Sequence, residues 1–316
     1  ILGTVTDPSG AVIPGANVTV TNESTNTGTE VQTNAEGNYV VPFLLPARYT
    51  VSVAAPGFKT ATRKGVIVQV QDRIKLNFAL EIGTPTETIN VSAESPILST
   101  ASPDLGQVID RHYLERLPIS GRSPMFLADL APGVISGNTD YTSNDQNKIS
   151  INGGNGSDRG NDISVDGMPN VVPRQTGLVA TMPMGDAVEE FKVNTTMFDA
   201  SQGRSTGGTI AVTTRGGTNN FHGSGYYYLR DPSLNALSWT EKKSYNSMSA
   251  ADKQKFDASR DTQNYWIAGG TFGGPIRKDR TFFFVAYERV YDGKSITKQG
   301  YVPTALERKG DFSQSK

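Results

Sequence analysis

Hydrophobic and polar positions alternate in short runs along the first part of the chain. Leu2-Gly3-Thr4-Val5-Thr6, Ala16–Thr21, Thr29–Thr33, Tyr39-Val40-Val41, Tyr49–Val53, Val66–Val70 and Ile74–Leu80 each place every second residue on one face. Such period-two runs are the mark of half-buried strands. The runs end in turn residues. Asp7-Pro8-Ser9-Gly10 combines the fixed φ of proline with the permissive φ of glycine, and Asn34-Ala35-Glu36-Gly37 is a second turn of this kind. Seven short strands punctuated this way predict a small antiparallel β-sandwich over residues 1–83.

The pattern then changes. Gly83-Thr84-Pro85-Thr86, Glu94-Ser95-Pro96 and Ser102-Pro103 frame residues 84–102 as a linker. Inside it lies Glu87-Thr88-Ile89-Asn90-Val91-Ser92-Ala93, with Ile89, Val91 and Ala93 on one face and Thr88, Asn90 and Ser92 on the other. It reads as a strand without a partner in its own neighbourhood. A strand of this kind can add to the sheet edge of another protein, with backbone hydrogen bonds supplying affinity; periodicity alone equally fits an ordinary linker.

Residues 103–218 mix short helices and strands. Asp110 is a candidate N-cap for a helix that Pro118 stops, and Met125–Leu130 reads as a further helical turn or two. Ile149–Gly154 and Asp162–Pro169 are strands running into glycine turns, Ala187–Val193 is a helix end passing into a strand, and Thr209–Thr218 is a strand closing on a glycine turn.

From residue 219 onward three longer runs appear: Phe221–Arg230, Gln263–Phe272 and Thr281–Tyr291. Each is about ten residues, the length with which a tilted strand crosses a bilayer. Gly273–Arg280 reads as a tight polar connection between the last two, and 231–262 as a long polar loop. Three strands cannot close a barrel, and open edges cannot face lipid. The reading therefore expects a longer chain, cut at both ends.

Composition narrows the chemistry. Residues 219–316 hold 17 of the 27 aromatic side chains. Basic and acidic side chains number 6 and 6 in residues 1–83, 9 and 15 in 84–218, and 15 and 10 in 219–316. These shifts favour three units with different surroundings. With 30 Lys+Arg against 31 Asp+Glu overall, a generally basic nucleic-acid binder is not expected. The absence of cysteine removes disulfides, thiolate metal sites and a Cys nucleophile, and two histidines, His112 and His222, do not make a multi-His metal site. Gly203-x-Ser205-x-Gly207 matches a hydrolase nucleophile elbow in letters only, because a strand follows Ser205 and no acid stands between it and His222. Gly153–Asp158 resembles one copy of a calcium-binding repeat, which needs stacked copies. No catalytic residue, metal or cofactor is expected.

Two resemblances sharpen the picture. Gly3-Thr4-Val5-x-Asp7, Gly15-Ala16-Asn17-Val18, Glu36-Gly37-Asn38-Tyr39, Pro46-Ala47-Arg48-Tyr49 and Gly57-Phe58 fall in the order of carboxypeptidase-regulatory-like domains, which are transthyretin-like or Ig-like sandwiches with a carbohydrate-binding-like fold. Ala47 stands where that family usually has Gly. Residues 84–218 resemble the linker and plug of a TonB-dependent outer-membrane receptor. Glu87–Ala93 is similar to its TonB box. Val165-Asp166-Gly167-Met168-Pro169 is similar to the "VDGxP" turn, and Val188–Val193 to the "IERIEV" element. Gly203–Gly217 is similar to the "YGSGAxGGxINIxTKxG" close of the plug. With the sandwich and the later "FGGPIRKDRTFFF" run, the chain is most similar to the Oar-like branch.

The resemblance implies a mainly β chain: a sandwich at 1–83, a linker carrying the TonB-box-like segment at 84–102, an α+β plug at 103–218 and the first strands of an incomplete transmembrane β-barrel at 219–316. It implies an outer-membrane location, with sandwich and plug on the periplasmic side or inside the barrel. The implied function is energised uptake of a siderophore, glycan or peptide. Its implied partners are outer-membrane lipid and a TonB-type energy-transducing protein that pairs with Glu87, Thr88, Ile89, Asn90, Val91, Ser92 and Ala93. Asp166, Gly167, Gly207, Gly208, Gly216 and Gly217 are the implied turns and barrel contacts. One departure stands out. Many receptors continue "IEV" with Val-Arg-Gly, whose Arg pairs with barrel carboxylates, whereas Val193 is followed by Asn194-Thr195; Arg204 and Arg215 are the remaining candidates for that latch. The alternative is a secreted or surface β-modular adhesin or carbohydrate-binding protein without transport, which explains the sandwich but not the aromatic strands.

Overall fold

The computed structural model describes residues 1–84, 88–90, 105–117, 123–136, 149–153, 161–170, 181–196, 205, 207–234, 236–259, 264–293, 304 and 306–313. The strands of the first part are β1 (Leu2–Thr6), β2 (Asn17–Asn22), β3 (Gly28–Gln32), β4 (Asn38–Val40), β5 (Ala47–Ala54), β6 (Thr60–Val68), β7 (Phe78–Ala79) and β8 (Thr88–Asn90). They form two sheets, β4-β1-β7 and β3-β2-β5-β6-β8. The alternation read from the sequence closes the core: Val5, Val18, Val20, Val51, Val53, Val66, Leu76 and Leu80 are all buried between the sheets. Tyr39 joins them and satisfies its hydroxyl by donating to the Leu76 carbonyl at 2.8 Å. The predicted turns form from their own side chains. Asp7 Oδ1 accepts from the Ser9 and Ala11 amides at 2.8 and 2.9 Å, and Asn34 Oδ1 accepts from the Asn38 amide at 2.8 Å.

Three expectations are corrected here. The sandwich is not wholly antiparallel, because β1 pairs β7 in parallel and β6 pairs β8 in parallel. β6 begins six residues earlier than its apolar run, since Thr60–Gly65, with Ala61 buried and Lys64 exposed, continues the same strand. The 88–90 segment is not partnerless: it is the outermost strand of the five-stranded sheet. Gly3 allows a close approach within this fold, since a Cβ there would lie 1.7 Å from the Leu76 carbonyl oxygen.

The next sheet is built from β9 (Leu105–Asp110), β12 (Asn161–Val165), β13 (Met168–Pro169), β14 (Val188–Thr196) and β15 (Gly208–Thr214), in the order β13-β12-β15-β14-β9. A separate pair joins β10 (Val134–Ser136) to β11 (Ile149–Ile151). Helix α1 (Arg111–Arg116) starts at Asp110, whose carboxylate accepts from the His112 amide at 2.9 Å, as an N-cap does. A 3-10 helix at Pro124–Leu130 follows. Together they cover one face of the sheet over Ile109, Leu127, Ile151, Ile163, Phe191, Val193, Ile210 and Val212.

The last strands are β16 (His222–Arg230), β17 (Asn264–Arg277) and β18 (Thr281–Gly293), in the order β16-β17-β18. The connection expected at Gly273–Arg280 is shorter: β17 runs through Gly273-Gly274-Pro275-Ile276 to Arg277, and the turn is Lys278-Asp279-Arg280. Glycine is needed there for packing: a Cβ on Gly274 would lie 2.3 Å from the Phe221 ring. The 231–262 stretch, expected as a long polar loop, contains α2 (Trp239–Ser247) and α3 (Ala250–Ser259). The described chain divides into two units, residues 1–225 with 269–288 and residues 226–268 with 289–316. The fold is mainly β, as the sequence reading expected.

Candidate functional site

The coupling segment implied by the sequence is described at Thr88, Ile89 and Asn90, which lie beside Thr60, Ala61 and Thr62 respectively. Glu87, Val91, Ser92 and Ala93 fall outside the described residues, as does Arg204. The chain reaches this strand from a fixed point. The Lys59 amide donates to the Glu81 carbonyl at 2.8 Å and the Gly83 amide to the Gly57 carbonyl at 3.1 Å, which ties residues 81–83 to the start of β6.

The Asp166-Gly167 pair forms a two-residue hairpin turn between β12 and β13, with φ of 50° and 79°. Two successive positive φ values suit Asp-Gly. The Asp166 carboxylate also ties this turn to the end of β15, accepting from the Thr214 amide at 2.9 Å and the Thr214 hydroxyl at 2.7 Å. The neighbouring glycines divide by role. Gly208 is buried at the start of β15, where a Cβ would lie 2.6 Å from both the Asn194 carbonyl oxygen and the Ile151 side chain, so its close approach is inside the sheet and not at a barrel wall. Gly217 does meet the later strands, since a Cβ would lie 2.3 Å from the Phe283 carbonyl oxygen. Gly216 faces open space, and Gly207 adjoins the start of β15. The Ser205 hydroxyl donates to the Gly208 carbonyl.

Arg215 is buried at the end of β15. Its Nη1 donates to the Asp186 carbonyl at 3.2 Å, and its Nε lies 3.7 Å from Glu189. The guanidinium stacks over the Phe284 ring at 5.0 Å, which joins the five-stranded sheet to β18. Asp186 receives a further hydrogen bond from Ser224 of β16 at 3.4 Å.

Sequence reasoning missed a polar ladder on the opposite face of β14. Glu190, Lys192 and Asn194 alternate with the core residues Phe191 and Val193, a pattern that ordinarily means a solvated face. Here all three are buried, at 7%, 7% and 1% exposure. The turn after β6 covers them. The Val70 amide donates to Glu190 Oε1, Lys192 Nζ lies 3.6 Å from Asp72, and Asn194 Nδ2 donates to Gln71 Oε1 at 3.0 Å. Burial pushes the Glu190 carboxyl up from its ordinary 4.5 to about 7, helped by the nearby Asp72, Glu189 and Asp110 carboxylates and opposed by the Val70 hydrogen bond. Thr195 stands where the resemblance would have the Arg and donates its hydroxyl to the Leu105 carbonyl at 3.2 Å, while Asn194 beside it meets the sandwich turn. The signal available in the sequence was an acid, a base and an amide at every second position, alternating with Phe191 and Val193.

Aromatic rings line the last three strands. Phe221 stacks on Phe272 at 5.9 Å, and Phe272 meets Phe283 at 5.5 Å. In the second unit Trp266 stacks between Tyr227 and Tyr291 at 6.2 and 5.7 Å, with Arg289 over its ring. Among the described residues no cluster of three His, Asp or Glu side chains is placed to hold a metal.

Residues 213–316 match the outer membrane beta barrel domain, and residues 1–81 match the carboxypeptidase regulatory-like domain. Sandwich, packed sheet and aromatic strands thus define a class, the outer-membrane β-barrel proteins that carry a regulatory-like sandwich ahead of the barrel. Among curated proteins the chain is similar to the TonB-dependent transporter Oar of Myxococcus xanthus, at 30% identity over 91% of this chain and 26% of the relative. The similarity to this TonB-dependent transporter runs through sandwich, packed sheet and first aromatic strands alike, and the chain spans about a quarter of the length of that relative. Among solved structures it is similar to the siderophore receptor PirA from Acinetobacter baumannii, at 22% identity over 65% of this chain and 26% of that one, with a TM-score of 0.42.

Proposed function

We propose that this chain supplies the coupling segment, plug and first barrel strands of a receptor that takes a substrate across the outer membrane. The work is drawn from a TonB-type partner that pairs with residues 87–93. The substrate belongs to the siderophore, glycan or peptide class. The sandwich and the coupling segment face the periplasm, and the 105–215 sheet closes the barrel.

The observation that carries this reading is the way the sheet connects to the aromatic strands. β15 runs directly into them, Arg215 stacks on Phe284, and Gly217 lies against Phe283. The ring positions support a lipid-facing surface. Phe221, Phe272 and Phe283 in the first unit contact one another, and so do Tyr227, Trp266 and Tyr291 in the second. Outer-membrane strands carry such aromatic sets at both interfaces.

The topology also suggests how force would act. Among the described residues the next strand after the coupling segment is β9, at the edge of the plug sheet beside β14. Tension applied at 87–93 enters the sheet at this edge and meets the Leu105 end of the β9–β14 ladder first, next to a register irregularity between Asn194 and Thr196. Peeling an edge strand breaks backbone pairs one after another, which needs less force than shearing the whole ladder, and local opening of this kind is the low-energy route. Among the pairs released next would be those holding the buried polar ladder in register.

Ile89→Pro tests the reading. Proline removes an amide and disrupts strand pairing. Cells expressing the full receptor with this substitution should lose energised accumulation of the labelled substrate while surface binding stays intact. Unchanged accumulation sinks the coupling assignment. Retention of the receptor in detergent-requiring outer-membrane fractions separates it from a surface adhesin, which would dissolve without detergent.

A further inference from the structure

Thr88–Asn90 pairs with the sandwich along the backbone: Thr60 with Thr88, Ala61 with Ile89 and Thr62 with Asn90, all in parallel. We propose that the β6 edge of the sandwich is a docking edge for the coupling strand and competes for it with the energy-transducing partner. The proposal rests on the reading of 87–93 as the coupling segment.

Three observations carry it. The segment pairs as an added strand, which is the mode of recognition its alternation suits. It is tethered: residues 81–83 are bonded to 57–59, leaving only 84–87 between that anchor and β8. A tether this short makes the β6 edge a competitor at high effective concentration. The edge itself is also fixed relative to the plug. The Val70, Gln71 and Asp72 turn at the other end of β6 is bonded to Glu190, Asn194 and Lys192 of β14, the strand with which β9 pairs. The sandwich is therefore built to hold the segment close to the sheet it leads into. Full pairing of 87–93 with a partner strand, followed by a pull, requires β8 to leave β6. The fraction of molecules with β8 released then scales the apparent affinity for the partner.

The test is a disulfide staple in the full-length receptor. The chain has no cysteine, so the pair T62C/N90C is free of competing thiols in this region. Thr62 is only half-buried, so the change spares the core face that holds Ala61. The probe is the purified periplasmic domain of the TonB-type protein. The pair should oxidise readily, and the oxidised receptor should bind the probe at least roughly tenfold more weakly than the same protein after reduction. Wild type should be indifferent to the oxidant. In wild type, amide exchange at 60–63 should increase when the probe binds, a readout that needs no variant.

Equal binding by the oxidised and reduced pair overturns the proposal, because the partner then joins the outer side of a docked β8. Failure of the pair to oxidise, with both single cysteines reactive, overturns it as well. No binding of the probe by wild type, with the disulfide formed, is a different signature. It refutes the assignment of 87–93 itself, and the competition falls with it.

Discussion

Replacing Glu190 by Gln keeps an oxygen to accept from the Val70 amide and removes the charge. Docked between β14 and the sandwich turn, Glu190 is pushed to about 7 by burial, with Asp72, Glu189 and Asp110 adding to the effect; released to water it returns to its ordinary 4.5. Below about pH 4.5 the carboxyl is protonated whether or not the turn is docked, and the contact carries no cost for it. As pH rises through about 7 the docked group must ionise while buried, and that stabilisation is lost. The gap between the two values corresponds to about 3 kcal/mol. Docking of residues 69–73 on β14 should therefore weaken by that order between pH 5 and pH 8. The assay is hydrogen exchange on peptides spanning 69–73 and 188–196 in the full receptor, corrected for intrinsic rates. Glu190→Gln should abolish the pH dependence and at pH 8 raise protection by about 100-fold. A wild type whose protection is flat or rises with pH, or a Gln variant less protected than wild type at pH 8, refutes the reasoning.

Other substitutions probe the remaining contacts. Gly3→Ala should destabilise the sandwich by about 3 kcal/mol, because its Cβ would meet the Leu76 carbonyl oxygen at 1.7 Å and both backbones are held by pairing; urea unfolding reads this directly. Asp166→Ala removes two hydrogen bonds to Thr214 and places Ala at a φ of 50°, costing about 2–3 kcal/mol in the opening of 162–169, whereas Asp166→Asn should lose less. Arg215→Ala removes the stack on Phe284 and the pairing with Glu189 and should lower the stability of the junction by about 2 kcal/mol, as read by exchange at 208–215. Arg215→Lys should recover only part of this, since an ammonium does not reproduce the planar stack.

What was legible in the sequence follows from how far apart the interacting groups are. Asp7, Asn34 and the Asp166-Gly167 pair specify turns with their own side chains or φ preferences, within a few residues, and all three form as read. The sandwich core was visible because alternation in each strand buries one face. The polar ladder was not, because a partner 120 residues away covers what looks like a solvated face. The docking of β8 was hidden for the same reason, since three residues of backbone pairing leave no mark on composition. Two signals were present and unread. Ser238 and Glu241 form a capping box at the start of α2, and Ser249 caps α3 by accepting from the Asp252 amide at 3.2 Å. Their helices carry little apolar face, so the stretch passed for loop. In β17, Gly273-Gly274-Pro275 suggested a turn by composition, whereas the glycines make room for Phe221 and His222.

The central claim is that residues 87–93 are the point at which energy enters the receptor. The most direct test is in-cell cross-linking, with single cysteines placed in turn at each position from 87 to 93 of the full receptor and one on the edge strand of the TonB-type partner. The account predicts cross-links across 87–93 that strengthen when substrate is supplied, and none from control cysteines on exposed positions of β3. Absence of cross-links at all seven positions, in cells where the receptor is in the outer membrane and binds substrate, contradicts it.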